Sequence, residues 1–380
     1  MSPETNVVHT GDCFDVLQTL ADESVHMVMT SPPYWNLRDY DHADQLGLEP
    51  ESEQYVQNLA DVFDEVKRVL RPNGSLWLNL GDTYDDKDLQ QIPARVALEL
   101  QQRGWILRNR VTWAKPNPMP HSVKDRLNDT TEAVFHFVKS KDYWYDLDAI
   151  REEHKHYDDF KNANKDPSRQ LNTTKSEKSG EYYDGSPSRS RNEVADKFHN
   201  PAGKNPGDVF EVTTKPFPEA HFAVYPPELC EKPIKATCPP TVCAECGSPY
   251  ERDVEVSRGG DPNRDRSKKN VDGVDGNPSG VRSISGDTYQ YPDRDFKGWT
   301  PTCDCDTDAT EAAIALDPFA GAGTTLLKAK ELGRKFIGIE LNAKYADMAR
   351  ARVGIDVDDP SNVRDDADQS GLEAYEGADP

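Results

Sequence analysis

The chain has 380 residues, 35% of them hydrophobic, and a formal net charge of −23 at pH 7. This length can bury one sizeable α/β core with insertions, or two modest domains. No apolar run of about 18 residues and no apolar leader is present, so we expect a cytoplasmic protein without a membrane partner. Seven cysteines in such a chain favour metal ligation over disulfides.

The acidity is distributed unevenly. Residues 356–380 carry nine acidic side chains and one basic side chain, which predicts a disordered tail. Residues 151–207 carry eleven basic and ten acidic side chains and are therefore nearly neutral. A nucleic-acid partner needs Lys and Arg at its phosphates, so this segment is the better candidate for such contacts. The overall acidity is also typical of a high-salt cytoplasm, where charge repulsion reaches only about 3 Å at 1 M salt.

Strand and helix patterns alternate through the first 150 residues. A strand, a turn at Gly11-Asp12 and a short helix open the chain, and a buried strand over residues 26–29 precedes the string TSPPYW. Helical spacing over residues 55–71 ends at a predicted turn, Pro72-Asn73-Gly74. The next predicted elements are a strand over 75–82, a helix over 92–103, and strands over 106–115 and 133–140. This alternation predicts an α/β protein with a doubly wound, largely parallel sheet.

The second half of the chain interrupts this pattern twice. Residues 151–207 and 257–298 are irregular and rich in Asn, Ser, Asp and Gly, while a regular pattern returns over 221–237. The last predicted elements are a strand over 312–316, a helix over 324–332, a strand over 335–340 and a helix over 342–353. The core is therefore expected to carry two irregular insertions.

The string DPFAGAGTT follows the strand at 312–316 and opens a helix. Gly321 and Gly323 would let the backbone pass close to a ligand at the helix N-terminus. Glu340, 17 residues beyond Gly323, ends the next strand, where a carboxylate can bind ribose hydroxyls. The alternative is a purely structural turn. A dinucleotide is disfavoured, because GAGTT lacks the GxGxxG spacing.

The string TSPPYW is the more specific signal. Pro32 and Pro33 fix the backbone after a strand, so that Ser31 is presented at the strand's carboxyl end. The Ser31 hydroxyl and the Pro32 carbonyl can accept hydrogen bonds from an exocyclic amine, while Tyr34 can stack on a flat base. The alternative is a proline turn with an incidental tyrosine. The motif itself offers no strong general base.

Four cysteines occur in two close pairs. Cys243 and Cys246 form CAEC before a glycine, and Cys303 and Cys305 form CDC. Four thiolates suit tetrahedral zinc, so we predict a structural zinc-knuckle element. Buried free thiols, or redox and disulfide use, are the alternatives, and Cys238 is a substitute ligand.

These motifs identify a family resemblance. The chain resembles the β-type, circularly permuted amino-methyltransferases of DNA, in which the catalytic motif precedes the cofactor motif. The matching strings are GDC, TSPPYWNLRDY, NGSLWLNLGD, WAKPN, HFAVYPPEL, LDPFAGAGTT and FIGIE. The resemblance implies a Rossmann-like methyltransferase sheet, S-adenosylmethionine as methyl donor and double-stranded DNA as partner. It also implies nucleoid association and leaves room for a cognate restriction endonuclease.

The resemblance further implies roles for individual residues. The TSPPYW loop would hold the target amine, through Ser31, Pro32, Pro33 and Tyr34. Residues of the glycine loop and the acid after the next strand would bind the donor together with Ser31: Asp317, Phe319, Gly321, Gly323, Thr324 and Glu340. Asp12 would lie near its adenine end. His221, Pro226 and Glu228 match the helix over its methionine part.

A serine directly before PPY makes the chain similar to enzymes that methylate N4 of cytosine. Enzymes that methylate N6 of adenine usually have an aspartate or asparagine at that position. We therefore predict site-specific N4-cytosine methylation, by base flipping and direct transfer, in a short and palindromic sequence. N6-adenine methylation is the alternative. Cytosine C5 chemistry needs a cysteine nucleophile, and Cys13 beside a Gly-Asp turn does not suit it. More distant alternatives are a catalytically inactive zinc protein that binds nucleic acid, and an RNA or protein-glutamine methyltransferase.

Six segments are predicted on this basis. The core comprises a catalytic half, a helical region over the cofactor and a cofactor-binding half, at residues 1–150, 208–237 and 307–355. A target-recognition insertion is predicted over 151–207, with a disordered linker as its alternative. A cysteine-rich zinc insertion is predicted over 238–306, and the acidic tail covers 356–380.

Overall fold

The protein is described from a computed structural model, which covers residues 3–39, 45–118, 122–153, 202–215, 224–256 and 294–355. The chain divides into two compact units. The larger unit consists of Met1–Trp144, Asp208–Pro240 and Ala312–Pro380, and the smaller consists of Tyr145–Gly207 and Thr241–Glu311. The described ends of both predicted insertions fall into the smaller unit. Most of both insertions, His221 and the acidic tail lie outside the described residues.

The secondary structure follows the predicted alternation. In chain order the strands are β1 (Val7–Thr10), β2 (Val25–Thr30), β3 (Leu70–Leu80), β4 (Tyr84–Asp85), β5 (Asp88–Leu89), β6 (Ile106–Ala114), β7 (Thr131–Val138), β8 (Val209–Glu211), β9 (Val242–Cys243), β10 (Tyr250–Val256), β11 (Arg294–Pro301), β12 (Thr310–Glu311), β13 (Ile314–Asp317) and β14 (Lys335–Glu340). The helices are α1 (Cys13–Thr19), α2 (Ser52–Val69), α3 (Ile92–Gln102), α4 (Pro227–Thr237), α5 (Thr324–Glu331) and α6 (Ala343–Arg352).

Eight strands of the larger unit form one sheet in the order β1-β14-β13-β2-β3-β7-β6-β8. Neighbours from β1 to β3 pair in parallel, β7 is antiparallel to both β3 and β6, and β8 is parallel to β6. Seven strands thus share one direction and β7 opposes them. This mostly parallel α/β sheet agrees with the predicted fold class.

The core lies where the central strands meet α2. Every residue of β2 is buried, as expected for a parallel strand covered on both faces. Helix α2 presents Tyr55, Leu59, Phe63 and Val66 at helical spacing, and all four are fully buried. Burying such side chains contributes about 1.5–3 kcal/mol each for the aliphatic and phenylalanine members. The position of β2 in the sheet is therefore fixed by packing.

The predicted turn at residues 72–74 is wrong. Leu70 directly follows α2 and begins β3, which continues through Pro72 and Gly74. A Cβ at Gly74 would lie 2.6 Å from the Leu70 side chain and 2.8 Å from the carbonyl oxygen of His26. The glycine therefore serves a close backbone approach between neighbouring strands, which Pro-Asn-Gly in a sequence does not distinguish from a turn.

Seven strands were not expected from the sequence, β4, β5 and β8 to β12, and β8 and β11 show why. The three residues of β8 are too few to show a period, and they are held at the sheet edge by pairing with β6. Strand β11 begins inside the stretch that was predicted to be irregular up to residue 298, and it pairs with β10 across a long gap in sequence. Pairing between distant segments has no local sequence signal, which explains both errors.

The smaller unit contains two antiparallel strand pairs, β10 with β11 and β9 with β12. The Arg252 guanidinium donates to both carboxylate oxygens of the buried Asp146, at 2.7 Å for the shortest contact. The same guanidinium lies 4.9 Å and 5.0 Å from the ring centres of Phe296 and Trp299. A charge pair and two aromatic faces thus hold β10 and β11 to the segment after Tyr145.

Within the described ranges, no helix is both long and apolar enough to span a bilayer.

His136 makes the larger unit sensitive to acid. It is buried in β7, its ring stacks on Trp77 at 4.4 Å, and burial lowers its pKa to about 3. Because the folded pKa lies below the unfolded value of about 6.5, protonation favours the unfolded chain and stability falls as the pH drops below 6.5. We expect about 1 kcal/mol of the stability lost between pH 7.5 and 5.5 to come from this group. Urea unfolding of wild type and His136→Phe at both pH values measures it, and an equal loss in both proteins would contradict the assignment.

Candidate active site

The candidate active site lies in the larger unit, at the edge of the sheet where the carboxyl ends of its parallel strands meet. Strands β2, β3, β13 and β14 all run in one direction, so their carboxyl ends meet at this edge. Strand β7 runs the opposite way, so its first residues, Thr131 and Glu132, reach the same edge. Ligands of open α/β sheets bind outside such carboxyl ends.

Asp317 anchors the glycine loop. Its carboxylate is fully buried and accepts hydrogen bonds from the Thr30 hydroxyl at 2.6 Å, the Phe319 amide at 3.1 Å and the Tyr225 hydroxyl at 3.0 Å. Burial raises the pKa of Asp317 above its usual range, against the effect of these hydrogen bonds. Tyr225 also contacts the Thr325 hydroxyl. Asp317 therefore connects three parts of the chain and shapes the loop that follows it.

The loop after Asp317 is held by Glu340 at the end of the neighbouring strand. One Glu340 oxygen accepts from the Gly321 amide at 2.8 Å, and the other accepts from the Asn342 amide at 2.9 Å. Burial raises the pKa of Glu340. Gly321 and Gly323 have φ values of 50° and 74°, the left-handed region that favours glycine. Glu340 was predicted to bind ribose, and in this structure it fixes the glycine loop.

An added Cβ distinguishes the two glycines. At Gly323, which precedes α5, it would lie 3.0 Å from the Ala349 side chain, so this glycine permits helix packing. At Gly321, no atom lies within 4 Å of the added Cβ. The loop therefore has open space beside Gly321, which is what a close-fitting ligand needs.

The other predicted cofactor residues have varied positions. Asp12 caps α1, because its carboxylate accepts from the amides of Phe14 and Asp15. Thr324 is buried at the start of α5, Pro226 directly precedes α4, and Glu228 lies in the first turn of α4. The ion pair with Lys215 lowers the pKa of Glu228. His221 lies outside the described residues.

The TSPPYW loop is anchored to the sheet and to α2. Pro32 is buried, and the Pro33 carbonyl accepts from the Tyr55 hydroxyl at 2.7 Å. The Tyr34 ring lies against Gly81, where an added Cβ would be 2.5 Å from the ring. The loop is therefore rigidly placed beside the end of β3, and residue 81 cannot carry a side chain without moving Tyr34.

A hydrogen-bonded network joins Ser31 and Tyr34 to side chains that the motif does not contain. The Ser31 and Tyr34 hydroxyl oxygens lie 3.1 Å apart, and the Tyr34 hydroxyl donates to Glu132 at 2.7 Å. The Asn79 amide nitrogen lies within 3.2 Å of Ser31 and 2.8 Å of both Tyr34 and Glu132. Lys115 forms an ion pair with the second oxygen of Glu132. Burial raises the pKa of Tyr34, so its hydroxyl stays protonated.

Four residues of the site were missed: Asn79, Lys115 as an active-site group, Glu132 and Tyr225. Asn79 and Tyr225 lie within the quoted strings NGSLWLNLGD and HFAVYPPEL, so position in a motif was the available signal. Glu132 had none, because its importance depends on the reversed direction of β7.

The smaller unit brings the four predicted cysteines together. The sulfurs of Cys243, Cys246, Cys303 and Cys305 all lie within 4.8 Å of one another. The first pair forms a tight turn, in which the Gly247 amide donates to the Cys243 carbonyl at 2.8 Å. Hydrogen bonding between Cys246 and Ser248 lowers the pKa of Cys246 to about 6. Cys238 is buried in the larger unit, where burial raises its pKa to about 12.

Comparison with known proteins agrees with this geometry. Residues 25–243 and 309–351 match the N6/N4 methyltransferase family model, described as DNA methylase. The chain is 31% identical to type II methyltransferase M.SfiI of Streptomyces fimbriatus, over 89% of the chain and 88% of the relative. It is also 31% identical to type II methyltransferase M.XycI of Xanthomonas campestris pv. cyanopsidis, over 90% and 86%.

A solved structure shares the fold. PvuII DNA methyltransferase, described as cytosine-N4-specific, superposes with a TM-score of 0.52 at 16% identity. The match covers 92% of this chain and 87% of that protein. At this level of identity the likeness concerns the fold alone.

Substitution of Tyr225 tests whether its hydroxyl anchors the glycine loop through Asp317. Tyr225→Phe removes one donor from the buried Asp317 carboxylate, and we expect the free energy of unfolding to fall by about 1–3 kcal/mol. Urea denaturation monitored by circular dichroism measures the change. The control is Tyr143→Phe, whose hydroxyl accepts from the exposed Arg108, and a loss below about 1 kcal/mol is expected there. Equal losses at the two positions would contradict an anchoring role.

Proposed function

We propose, given that this chain belongs to the N6/N4 DNA methylase family, that it transfers a methyl group to the N4 amine of cytosine in a short DNA sequence. Membership of the family makes the chain a DNA methyltransferase. The target base and the residue roles are the proposal. The observation that carries them is the Ser31 hydroxyl, which lies in a rigid loop beside the glycine loop at the carboxyl edge of the sheet.

The cytosine assignment rests on the resemblance of the serine before PPY to N4-cytosine enzymes, and the loop itself offers acceptors that suit an exocyclic amine. An exocyclic amine has a lone pair delocalised into its ring, and acceptors for its hydrogens draw it towards a tetrahedral geometry that can attack a methyl group. The Ser31 oxygen and the Pro32 carbonyl are proposed as these acceptors. The Tyr34 ring, fixed against Gly81, would support a base turned out of the duplex. Alignment of this kind can lower the activation free energy of methyl transfer by roughly 7–11 kcal/mol.

The glycine loop fits S-adenosylmethionine as donor. Gly321 leaves open space beside a helix N-terminus. The proposed donor-binding residues of this loop and the next strand are Asp317, Phe319, Gly323, Thr324 and Glu340. When bound there, the donor supplies a methyl group activated by a positively charged sulfur. The residues of the loop bind and orient it, with Asp12 on the side of β1, and with Pro226 and Glu228 at the start of α4. The order of the two loops, Ser31 before Gly321, supports the permuted type.

The smaller unit is proposed to recognise DNA. It contains the described ends of both insertions, which are parts of the chain not needed for the sheet. The type II methyltransferase names of the relatives support DNA as substrate and a place in a restriction-modification system. A short palindromic site in double-stranded DNA, and a cognate endonuclease that shares it, are part of the proposal. N6-adenine methylation remains the second candidate, because the matched family includes both amines.

Product analysis tests the target base. Duplex DNA incubated with the protein and S-adenosylmethionine is digested to nucleosides, and mass spectrometry is expected to find N4-methylcytosine. Ser31→Ala removes an acceptor at the amine and is expected to lower the rate about 100-fold while donor binding is unchanged. Ser24→Ala, at a half-buried serine outside the site, is the control. N6-methyladenine as product would overturn the cytosine assignment, and full activity of Ser31→Ala would overturn the role of Ser31.

The four-cysteine cluster is proposed to bind a structural zinc. Tetrahedral zinc with bonds of about 2.3 Å to sulfur places the sulfurs about 3.8 Å apart, and the cluster needs only a small contraction from its 4.8 Å limit. Cys243 and Cys246 would supply one pair of ligands, and Cys303 with Cys305 the other. The metal would join the two ends of the second insertion.

Zinc content tests this site. We expect one zinc per wild-type chain by elemental analysis, and loss of the metal with a lower melting temperature in the double variant Cys303→Ser, Cys305→Ser. The control is Cys238→Ala, which removes a thiol of the larger unit and is expected to keep the metal. Metal-free wild-type protein from a zinc-supplemented preparation would refute the site, and metal loss in Cys238→Ala would show a different ligand set.

A further inference from the structure

Glu132 is a carboxylate in the active site with no part in binding or aligning the substrate. It is the second residue of β7, and its side chain is 14% exposed. One of its oxygens accepts from Tyr34 at 2.7 Å and from Asn79 at 2.8 Å. The other oxygen pairs with Lys115, whose ammonium also lies 4.8 Å from the centre of the Trp113 ring. The carboxylate is thus held from both sides, with one oxygen facing the TSPPYW loop.

The hydrogen bonds between Ser31 and Glu132 have one direction. An ionised carboxylate only accepts hydrogen bonds, so the Tyr34 hydroxyl donates its single hydrogen to Glu132. At the 3.1 Å contact, Tyr34 must therefore accept and Ser31 must donate. The remaining lone pair of Ser31 is left to accept from the substrate amine. An unbroken path of donors leads from the amine to Glu132.

Asn79 reinforces this direction. It is fully buried, and its amide nitrogen faces Ser31, Tyr34 and Glu132 at once. The reverse amide orientation would place an oxygen against the Glu132 carboxylate, which is repulsive. Because the nitrogen only donates, it cannot take a proton from either hydroxyl. The path therefore has one end, at Glu132.

Methyl transfer to an amine needs a group that finally accepts a proton. Forming the N–CH3 bond, as the S–CH3 bond breaks and its electrons remain on sulfur, leaves the amine nitrogen with an extra proton and a positive charge. Tyr34 stays neutral, because burial and the nearby Glu132 charge raise its pKa. It can pass its proton to Glu132 only while it receives one from Ser31.

We propose, on the basis of the function proposed above, that Ser31 and Tyr34 relay the amine proton to Glu132. The N–H bond breaks as Ser31 gains the proton, the Ser31 proton moves to the Tyr34 oxygen, and the Tyr34 proton moves to Glu132. Both hydroxyls end neutral and Glu132 ends protonated. Glu132 then returns the proton to water at its exposed side. Lys115 and Asn79 are positioning residues, which keep the accepting oxygen towards Tyr34.

Two substitutions at Glu132 separate proton acceptance from positioning. Glu132→Gln keeps an oxygen that accepts from Tyr34 but loses the basicity, whereas Glu132→Ala loses both. We expect both variants to lower the single-turnover rate similarly, about 100-fold or more, because general-base catalysis contributes that much. Tyr34→Phe keeps the ring and breaks the relay, so it should match them. The double variant Tyr34→Phe, Glu132→Gln should be no slower than either single variant.

Three further measurements exclude a structural explanation. The S-adenosylmethionine dissociation constant of Glu132→Gln is expected to equal that of wild type, and its urea midpoint is expected to show a variant that is fully folded under the assay conditions. The wild-type rate should fall in D2O, and this solvent isotope effect should disappear in Tyr34→Phe. Glu53→Gln, at an exposed glutamate paired with Arg95, is the matched control and should behave as wild type.

The outcomes distinguish the two proposals. A wild-type rate in Glu132→Gln, with or without a slow Glu132→Ala, overturns the relay and leaves the proposed methylation standing. Additive losses in the double variant also overturn the relay. A wild-type protein that methylates neither cytosine nor adenine overturns the proposed function, and the relay with it.

Discussion

A single buried hydrogen bond, from Thr30 to Asp317, connects the two loops on which the site depends. It is 2.6 Å long and joins residues 287 positions apart. Thr30 immediately precedes Ser31, and Asp317 begins the glycine loop. A buried carboxylate without partners would be costly, so Asp317 has to be met by donors, and Thr30 is the one that fixes the neighbouring strand. The pairing of β2 with β13 and this hydrogen bond together set the distance between the amine loop and the cofactor loop.

The two acids at the sheet edge, Asp317 and Glu340, stabilise the glycine loop in the same way. Asp317 and Glu340 are both buried, both have raised pKa values, and both use backbone amides of the glycine loop as donors. These bonds rigidify the loop before any ligand arrives. Preorganisation of this kind lowers the entropy cost of binding and of alignment. Glu340 illustrates the point, since the carboxylate expected to meet a ligand directly first serves to shape the loop.

The antiparallel strand β7 adds a third group of residues to the site, beside the TSPPYW loop and the glycine loop. Parallel strands place their carboxyl ends at the edge, but only β7 starts there, and it brings Glu132 into contact with Tyr34 and Asn79. The Ser31 loop thereby gains a carboxylate, and Lys115 from the end of β6 holds its far oxygen. A mixed sheet, rather than a purely parallel one, is what completes the network.

The sequence by itself determined the alternating elements, the fold class, the two loops and the four cysteines, because periodicity, glycine and proline positions and close ligand spacing are local properties. Strand 335–340 was predicted with its observed bounds, while the turn at 72–74 was not a turn. Only the tertiary structure decided that Asp317 meets Thr30 and Tyr225, that Glu132 and Asn79 join Ser31, and that the described ends of both insertions share one unit. Those contacts depend on strand order and direction, which bring distant residues together and leave no periodic trace along the chain.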